Sequence, residues 1–258
     1  MPVALFIGAH NEEIEAEIPL LPQLLVRAGW RVVILNPIGG WNWVTIRRMP
    51  PEMRERIRQD CLDAALALGC EKVLWDYDCG RTSGHLEEMT ERIARFLRDT
   101  GPELIFIHWP RDGHQDHRAV AKASLHAIQS AENLISDDRW CPTWKEVWAF
   151  SVGIAQTYDF WPDVVVSGNQ ELMDRARQAL DCFVAYGKNK TSYWWKNIVG
   201  KTSWWGALAN GAPAEGYKFI GPSFPADGVH LKKVLGDQVI SVGSATWTLG
   251  REYSEVSI

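Results

Sequence analysis

Two short polar runs hold the residue types that do hydrolytic chemistry: His10-Asn11-Glu12-Glu13 and His114-Gln115-Asp116-His117. Two imidazoles and a carboxylate at one place bind zinc and leave a coordination position open, while a spare carboxylate can serve as a base. In the second run His114 and His117 lie three apart, and Asp116 is available to orient a ring through its second nitrogen. Each run is weak alone. A histidine with two glutamates also makes a solvated helix start, where acids complement the dipole, and an HxDH turn also serves as a capping loop. Their combination carries the reading of a metal-dependent hydrolase. Iron(II), cobalt(II) or manganese(II) would also accept such donors, with zinc preferred on ligand type. The first run also excludes a nucleotide-binding turn. Glu12, Glu13, Glu15 and Glu17 would repel a pyrophosphate, and no GxGxxG occurs.

Both runs sit where apolar segments end. Val3-Ala4-Leu5-Phe6-Ile7-Gly8 precedes the first and Leu104-Ile105-Phe106-Ile107 the second, and runs this short and apolar read as buried strands. Further strands are expected at 31–35, 72–75, 103–107, 146–150 and 164–166. Helices are expected at 14–28 (broken near Pro19), 52–68 (after Pro50 and Pro51), 86–97, 118–128 and 170–186. Gly29 and Gly69 are natural helix stops. Strand–helix alternation predicts right-handed crossovers and a single Rossmann-like three-layer α/β domain with a mostly parallel sheet. In the doubly wound order 3-2-1-4, strands one and four are neighbours at the switch point, so the two runs face one crevice.

One domain over 1–258 is the simplest organisation, with 188–258 an irregular, aromatic-rich C-terminal extension packed on it. After Gly206 the chain is rich in Gly and Pro and reads as loops and short strands. The 258 residues are 46% hydrophobic and 23% charged with a net charge of -5. That composition supports a sizeable core and disfavours a nucleic-acid groove. No leader pattern or long apolar stretch is present, which points to a cytoplasmic protein without a membrane span. The scattered Cys61, Cys70, Cys79, Cys141 and Cys182 fit a reducing compartment.

The chain resembles the PIG-L/LmbE-like zinc deacetylases, whose pattern is an Ala-His-Pro-Asp-Asp-type run after the first strand and a later His-Pro-Asp-His run. Here these read Ala9-His10-Asn11-Glu12-Glu13 and His114-Gln115-Asp116-His117. Asp78-Cys79-Gly80 is similar to the family's Asp-Gly turn, and Ala214-Glu215-Gly216-Tyr217 to its late Ala-Glu-aromatic signature. The resemblance implies that His10, Glu13 and His117 ligate Zn2+ and that Glu12 is the general base. It further implies that His114 stabilises the oxyanion or protonates the leaving nitrogen, that Asp116 orients a histidine, and that Asp78 lies at the substrate rim. The implied reaction removes an acetyl or similar acyl group from an amino sugar or related amine. Both family aspartates are glutamates here, one methylene longer, and Ile18-Pro19-Leu20 replaces the family's Gly-Gly.

Fourteen tryptophans need a place. Trp30, Trp75 and Trp148 lie in or beside strands and are expected in the core. Trp41, Trp43 and Trp109 fall in loops near the crevice, where indoles can stack on a sugar-like substrate, Trp41 and Trp43 being the candidate contacts. The Trp194-Trp195 and Trp204-Trp205 pairs read as exposed adjacent indoles at a homo-oligomer contact or a lid. His85, His108, His126 and His230 have no spacing that demands chemistry, though His108 lies close to the site. Two alternatives stand beside the deacetylase. One is a zinc-dependent hydratase of a small unsaturated keto acid, with Arg56, Arg58, Arg81 and Arg111 as candidate cations. The other is a catalytically impaired carbohydrate-binding relative.

Overall fold

A computed structural model describes residues 1–39, 50–134, 142–153, 157–185, 187, 189, 192–221 and 230–242. Among the described residues eight strands form one sheet: β1 Val3–Ile7, β2 Arg31–Ile38, β3 Glu71–Tyr77, β4 Leu104–His108, β5 Glu146–Phe150, β6 Val164–Ser167, β7 Ala214–Gly221 and β8 Val239–Ser241. Their order is β3-β2-β1-β4-β5-β7-β6-β8. The first five are parallel and the β7, β6 and β8 pairings antiparallel. β1 and β4 are neighbours, with Ala4 opposite Leu104 and Ile7 opposite Ile107, as the doubly wound order requires.

The helices are α1 Glu13–Glu17, α2 Leu20–Arg27, α3 Pro51–Ala67, α4 Leu86–Thr100, α5 Gln115–Leu134, α6 Gln170–Asp181, α7 Ser192–Gly206 and α8 His230–Leu235. Every residue of β1 is buried because successive side chains enter different layers. Ala4 and Phe6 pack with Ile57, Cys61, Leu172 and Ile198 on one face. Val3, Leu5 and Ile7 pack with Met89, Ile93, Leu97, Val120 and Ala127 on the other. Helix α4 shows how the sequence builds a layer. Met89, Ile93 and Leu97 recur on one face, and Gly101 ends the helix at φ 58, donating its N–H to Leu97 O at 2.9 Å.

Pro19 breaks the helix expected over 14–28 into two short ones, as its position predicts, since it can supply no N–H to an intact helix. Other elements depart from sequence expectation. Helix α6 stops at Asp181, short of Tyr186. The Gly- and Pro-rich C-terminal part contributes an eight-residue strand, β7, between β5 and β6. Both tryptophan pairs lie on α7, Ser192–Gly206, and this corrects the picture of exposed indole pairs. Trp205 is 6% exposed in a small cluster with Val165, Ala209 and Ala214, whereas Trp204 is 59% exposed. Adjacent residues on a helix point about 100° apart, so Trp205 can be buried while Trp204 faces outward. Trp194 and Trp195 are half-buried against the main core. Trp30, Trp75 and Trp148 are buried as expected. No helix among the described residues is long and apolar enough to cross a membrane.

Candidate metal centre

The first polar run occupies the turn from β1 into α1 and is buried throughout, from His10 to Glu17. It is not a solvated helix start. Asn36 of β2 clamps the turn, donating Nδ2–H to Gly8 O at 3.1 Å and to His10 O at 2.6 Å. Gly8 is required by close approach, because a Cβ there would lie 2.9 Å from Asn36 Nδ2 and 3.3 Å from Glu13 Oε2. The remaining acids of this segment are absorbed by structure. Glu15 pairs with Lys72 Nζ at 2.6 Å, and both side chains are completely buried. Glu17 pairs with Lys201 Nζ at 2.9 Å and accepts from Asn197 Nδ2 at 2.9 Å.

The second run begins α5, beyond the end of β4, and its side chains meet those of the first. Glu13 Oε1 lies 2.7 Å from His10 Nδ1 and 2.6 Å from His117 Nε2, and those two nitrogens are 3.3 Å apart. Burial opposes charge on Glu13, but the imidazoles of His117, His108 and His10 outweigh it and hold its carboxyl well below the ordinary range. Burial likewise opposes charge on His117, and Glu13 with Asp112 lifts it to about 9. Asp116, fully buried, places Oδ2 at 3.3 Å from His10 Nε2. It is held by Gly80 N–H at 2.7 Å and the Thr82 hydroxyl at 2.6 Å. The Asp116 carboxylate is therefore nearer His10 than His114, whose Nδ1 lies 3.9 Å away.

His114 is partly exposed at the rim, edge-on to His10 with ring centres 4.8 Å apart. Its Nδ1 accepts the Asp116 N–H at 3.2 Å. An accepting Nδ1 assigns the proton of the neutral ring to Nε2. Burial, then His10 and His117, push its pKa down, which favours that neutral ring. Glu12 is buried and immediately precedes α1. Asp78 is half-buried on the turn after β3, and Trp41 and Trp43 lie outside the described residues.

Two further residues contribute: Asp112, which the sequence reading did not single out, and His108, which it placed only close to the site. Asp112 is buried, with Oδ1 3.0 Å from His117 Nδ1 and 2.7 Å from the His114 N–H that it accepts. Its signal was the Asp-Gly-His spacing of a side chain that bonds the backbone two residues on. His108 stacks on His117 with centres 4.6 Å apart and places Nε2 2.7 Å from Glu13 Oε2. As the last residue of β4 it stands at the carboxyl end of a switch-point strand. His85 and His126 are exposed.

Three overlapping donor groups result: His10, His114 and His117; Glu13, His108 and His117; and His10, Cys79 and Asp116. The chemistry of His10, Glu13 and His117 suits a divalent ion, since two imidazoles and a carboxylate are borderline ligands. The 3.3 Å between their nitrogens is close to the edge of a tetrahedron with zinc–nitrogen bonds of about 2.0–2.1 Å.

In sequence, residues 5–128 match the PIG-L family, described as GlcNAc-PI de-N-acetylase. No curated protein matches the chain. In fold it is similar to GalB, the 4-carboxy-2-hydroxymuconate hydratase of Pseudomonas putida, at 17% identity and TM-score 0.66, covering 87% of this chain and 98% of that one. A conserved protein of Thermus thermophilus gives 18% identity and TM-score 0.69 over 88% of this chain and 98% of that one. The N,N'-diacetylchitobiose deacetylase of Pyrococcus horikoshii gives 15% identity and TM-score 0.66 over 84% and 83%. Likeness at this identity establishes a shared α/β fold.

Proposed function

Starting from a chain whose residues 5–128 match the PIG-L family, we propose that it is a metal-dependent amide hydrolase. Its reaction would remove an acetyl or similar acyl group from the nitrogen of an amino sugar or related amine. The observation that carries this reading is the convergence of His10, Glu13 and His117 within 2.6–3.3 Å of one another, beside a buried Glu12 and a partly exposed His114. His10, Glu13 and His117 would hold the ion, zinc being preferred on ligand type. Such an ion, when bound, polarises an amide carbonyl and lowers the pKa of water to about 7.

The chain's own residues supply the remaining steps. Glu12 takes the proton of the attacking water. His114 presents Nε2–H to the oxygen that gains charge as the carbonyl carbon becomes tetrahedral, and can pass that proton to the leaving nitrogen. Asp116 and Asp112 hold the outer nitrogens of His10 and His117, fixing which nitrogen of each ring faces Glu13. Asp78, Trp41 and Trp43 belong to the substrate side of this reading.

A hydratase shares the fold, and fold does not set chemistry. That reading needs free cationic groups, yet Arg111 is paired with Asp159 at 2.7 Å. Arg58 shares a surface hollow with Arg54, Glu55 and Asp76, and Arg56 and Arg81 are exposed. The amide reading is favoured. Acetate release is measured over a series of N-acetylated amino sugars with metal-loaded protein, and Glu12→Gln is expected to keep the metal and lose about two to four orders of magnitude in rate. Normal turnover in Glu12→Gln would remove Glu12 from the mechanism. Hydration of an unsaturated keto acid with every N-acetyl amine left intact would replace the hydrolase reading.

A further inference from the structure

Cys79 takes no part in the chemistry above, yet its thiol stands beside the centre, half-buried on the turn after β3. Its Sγ is 3.6 Å from His10 Nε2, and Asp116 Oδ2 is 3.3 Å from that same nitrogen. All three donor atoms fall within 4.8 Å of one another. Tetrahedral zinc, with bonds of about 2.3 Å to sulfur and 2.0–2.2 Å to nitrogen and oxygen, puts N and S about 3.6 Å apart and N and O about 3.4 Å apart. The two measured edges match these values with no side chain moved. The donors are also held in place. Gly80 N–H and the Thr82 hydroxyl grip Asp116 at 2.7 and 2.6 Å, so the turn that carries Cys79 is tied to the carboxylate it would share an ion with.

We propose that His10 Nε2, Cys79 Sγ and Asp116 Oδ2 form a second, inhibitory site for a thiophilic divalent cation, such as zinc in excess or cadmium. Binding displaces one proton from the thiol and one from the His10 nitrogen that faces Asp116; both go to solvent, and nothing is oxidised or reduced. The ion then stands on the opposite edge of the ring from Nδ1, the nitrogen that faces Glu13 and His117. Two dications flanking one imidazole repel each other, so the second ion binds more weakly and fills only at excess metal. It also takes from His10 the carboxylate that orients it. The site stands on its own donors. Only its inhibitory consequence rests on His10, Glu13 and His117 holding the catalytic ion.

The full chain is titrated with cadmium while the ultraviolet thiolate-to-cadmium charge-transfer absorption is followed. In the parent this band is expected to grow with a second, weaker equivalent. Cys79→Ser is expected to lose the band, weaken that equivalent about a hundredfold or more, beyond the loss of an outer-shell partner, and keep the first equivalent. Cys182→Ser, altering another partly exposed thiol, serves as the control and should keep the band. If Cys79→Ser does not fold, alkylation of the parent with N-ethylmaleimide should abolish the band instead. A band that survives both treatments, or a parent without one, overturns the site. Zinc in excess should slow turnover of the parent more than that of Cys79→Ser. Equal slowing of the two, with the cadmium band present, overturns the inhibitory role and leaves the hydrolase reading untouched.

Discussion

Replacing Asp112 measures how firmly a buried carboxylate holds His117 for a metal. Asp112 is 3% exposed, with Oδ1 3.0 Å from His117 Nδ1 and accepting the His114 N–H at 2.7 Å, and Oδ2 accepting the Thr157 hydroxyl at 3.2 Å. Burial opposes its charge, but His117 and the His114 N–H hold its carboxyl below the usual range. Asp112→Asn keeps the shape and the accepting Oδ1 and removes the charge; it also removes the Oδ2 acceptor of the Thr157 hydroxyl, which keeps Val152 O at 2.9 Å. Charged hydrogen bonds are worth about 1.5–3 kcal/mol and neutral ones about 0.5–1.5. The expected loss is therefore about 1–2 kcal/mol, or about 5- to 30-fold in metal affinity, within reach of the 10- to 100-fold typical of such partners. Asp112→Ala also leaves His117 Nδ1 and the His114 N–H without their carboxylate, which adds about 1–3 kcal/mol. Zinc dissociation constants are obtained by competition with a chromogenic chelator at neutral pH, with circular dichroism reporting the fold. The expected order is parent, Asp112→Asn, Asp112→Ala. A folded Asp112→Ala that binds zinc within about twofold of the parent would refute the argument that this carboxylate prepares His117.

The remaining predictions test the centre and its frame. Purified parent should carry about one divalent ion per chain, and His10→Ala with His117→Ala together should abolish it; unchanged metal content by elemental analysis counts against the centre. Lys72→Met strands the buried Glu15 carboxylate and should cost about 3–5 kcal/mol in urea unfolding, with much of it recovered when Glu15→Leu is added. Glu215 is buried, its carboxyl pushed up by burial to about 7 despite the Leu20 and Leu21 N–H groups and the Tyr217 hydroxyl that it accepts. Between its ordinary 4.5 and about 7 the unfolded chain is ionised while the folded one keeps the proton. Stability from this group is thus present at low pH and lost as pH rises, by about 3 kcal/mol. Comparing parent with Glu215→Gln across that range isolates the slope, and parallel stability curves would contradict it.

The strands and helices up to Phe150 were legible because local pattern carries them. β1 and β4 are continuous apolar runs, and Met89, Ile93 and Leu97 mark the buried face of α4 at helical spacing. The two polar runs could be placed opposite each other because strand order in an alternating α/β chain is strongly restricted, and β1 pairs with β4 accordingly. Residue types singled out His10, Glu12, Glu13, His114, Asp116 and His117 as candidates for hydrolytic chemistry, and the family resemblance supplied their expected roles. Which atoms meet was decided by tertiary structure. The Asp116 carboxylate reaches His10, Asp112 takes His117, and His108 stacks beside His117. Cys79 reaches His10 only because β3 lies two strands from β1 in the sheet and its turn is tied to α5 through Asp116. Strand β7 was hidden because it pairs with β5 and β6, far from it in sequence, and β propensity depends on such neighbours. Periodicity reports which face of an element is apolar. Rotamers, ring nitrogens and carboxylate partners depend on contacts between distant segments, and those exist only once the sheet has assembled.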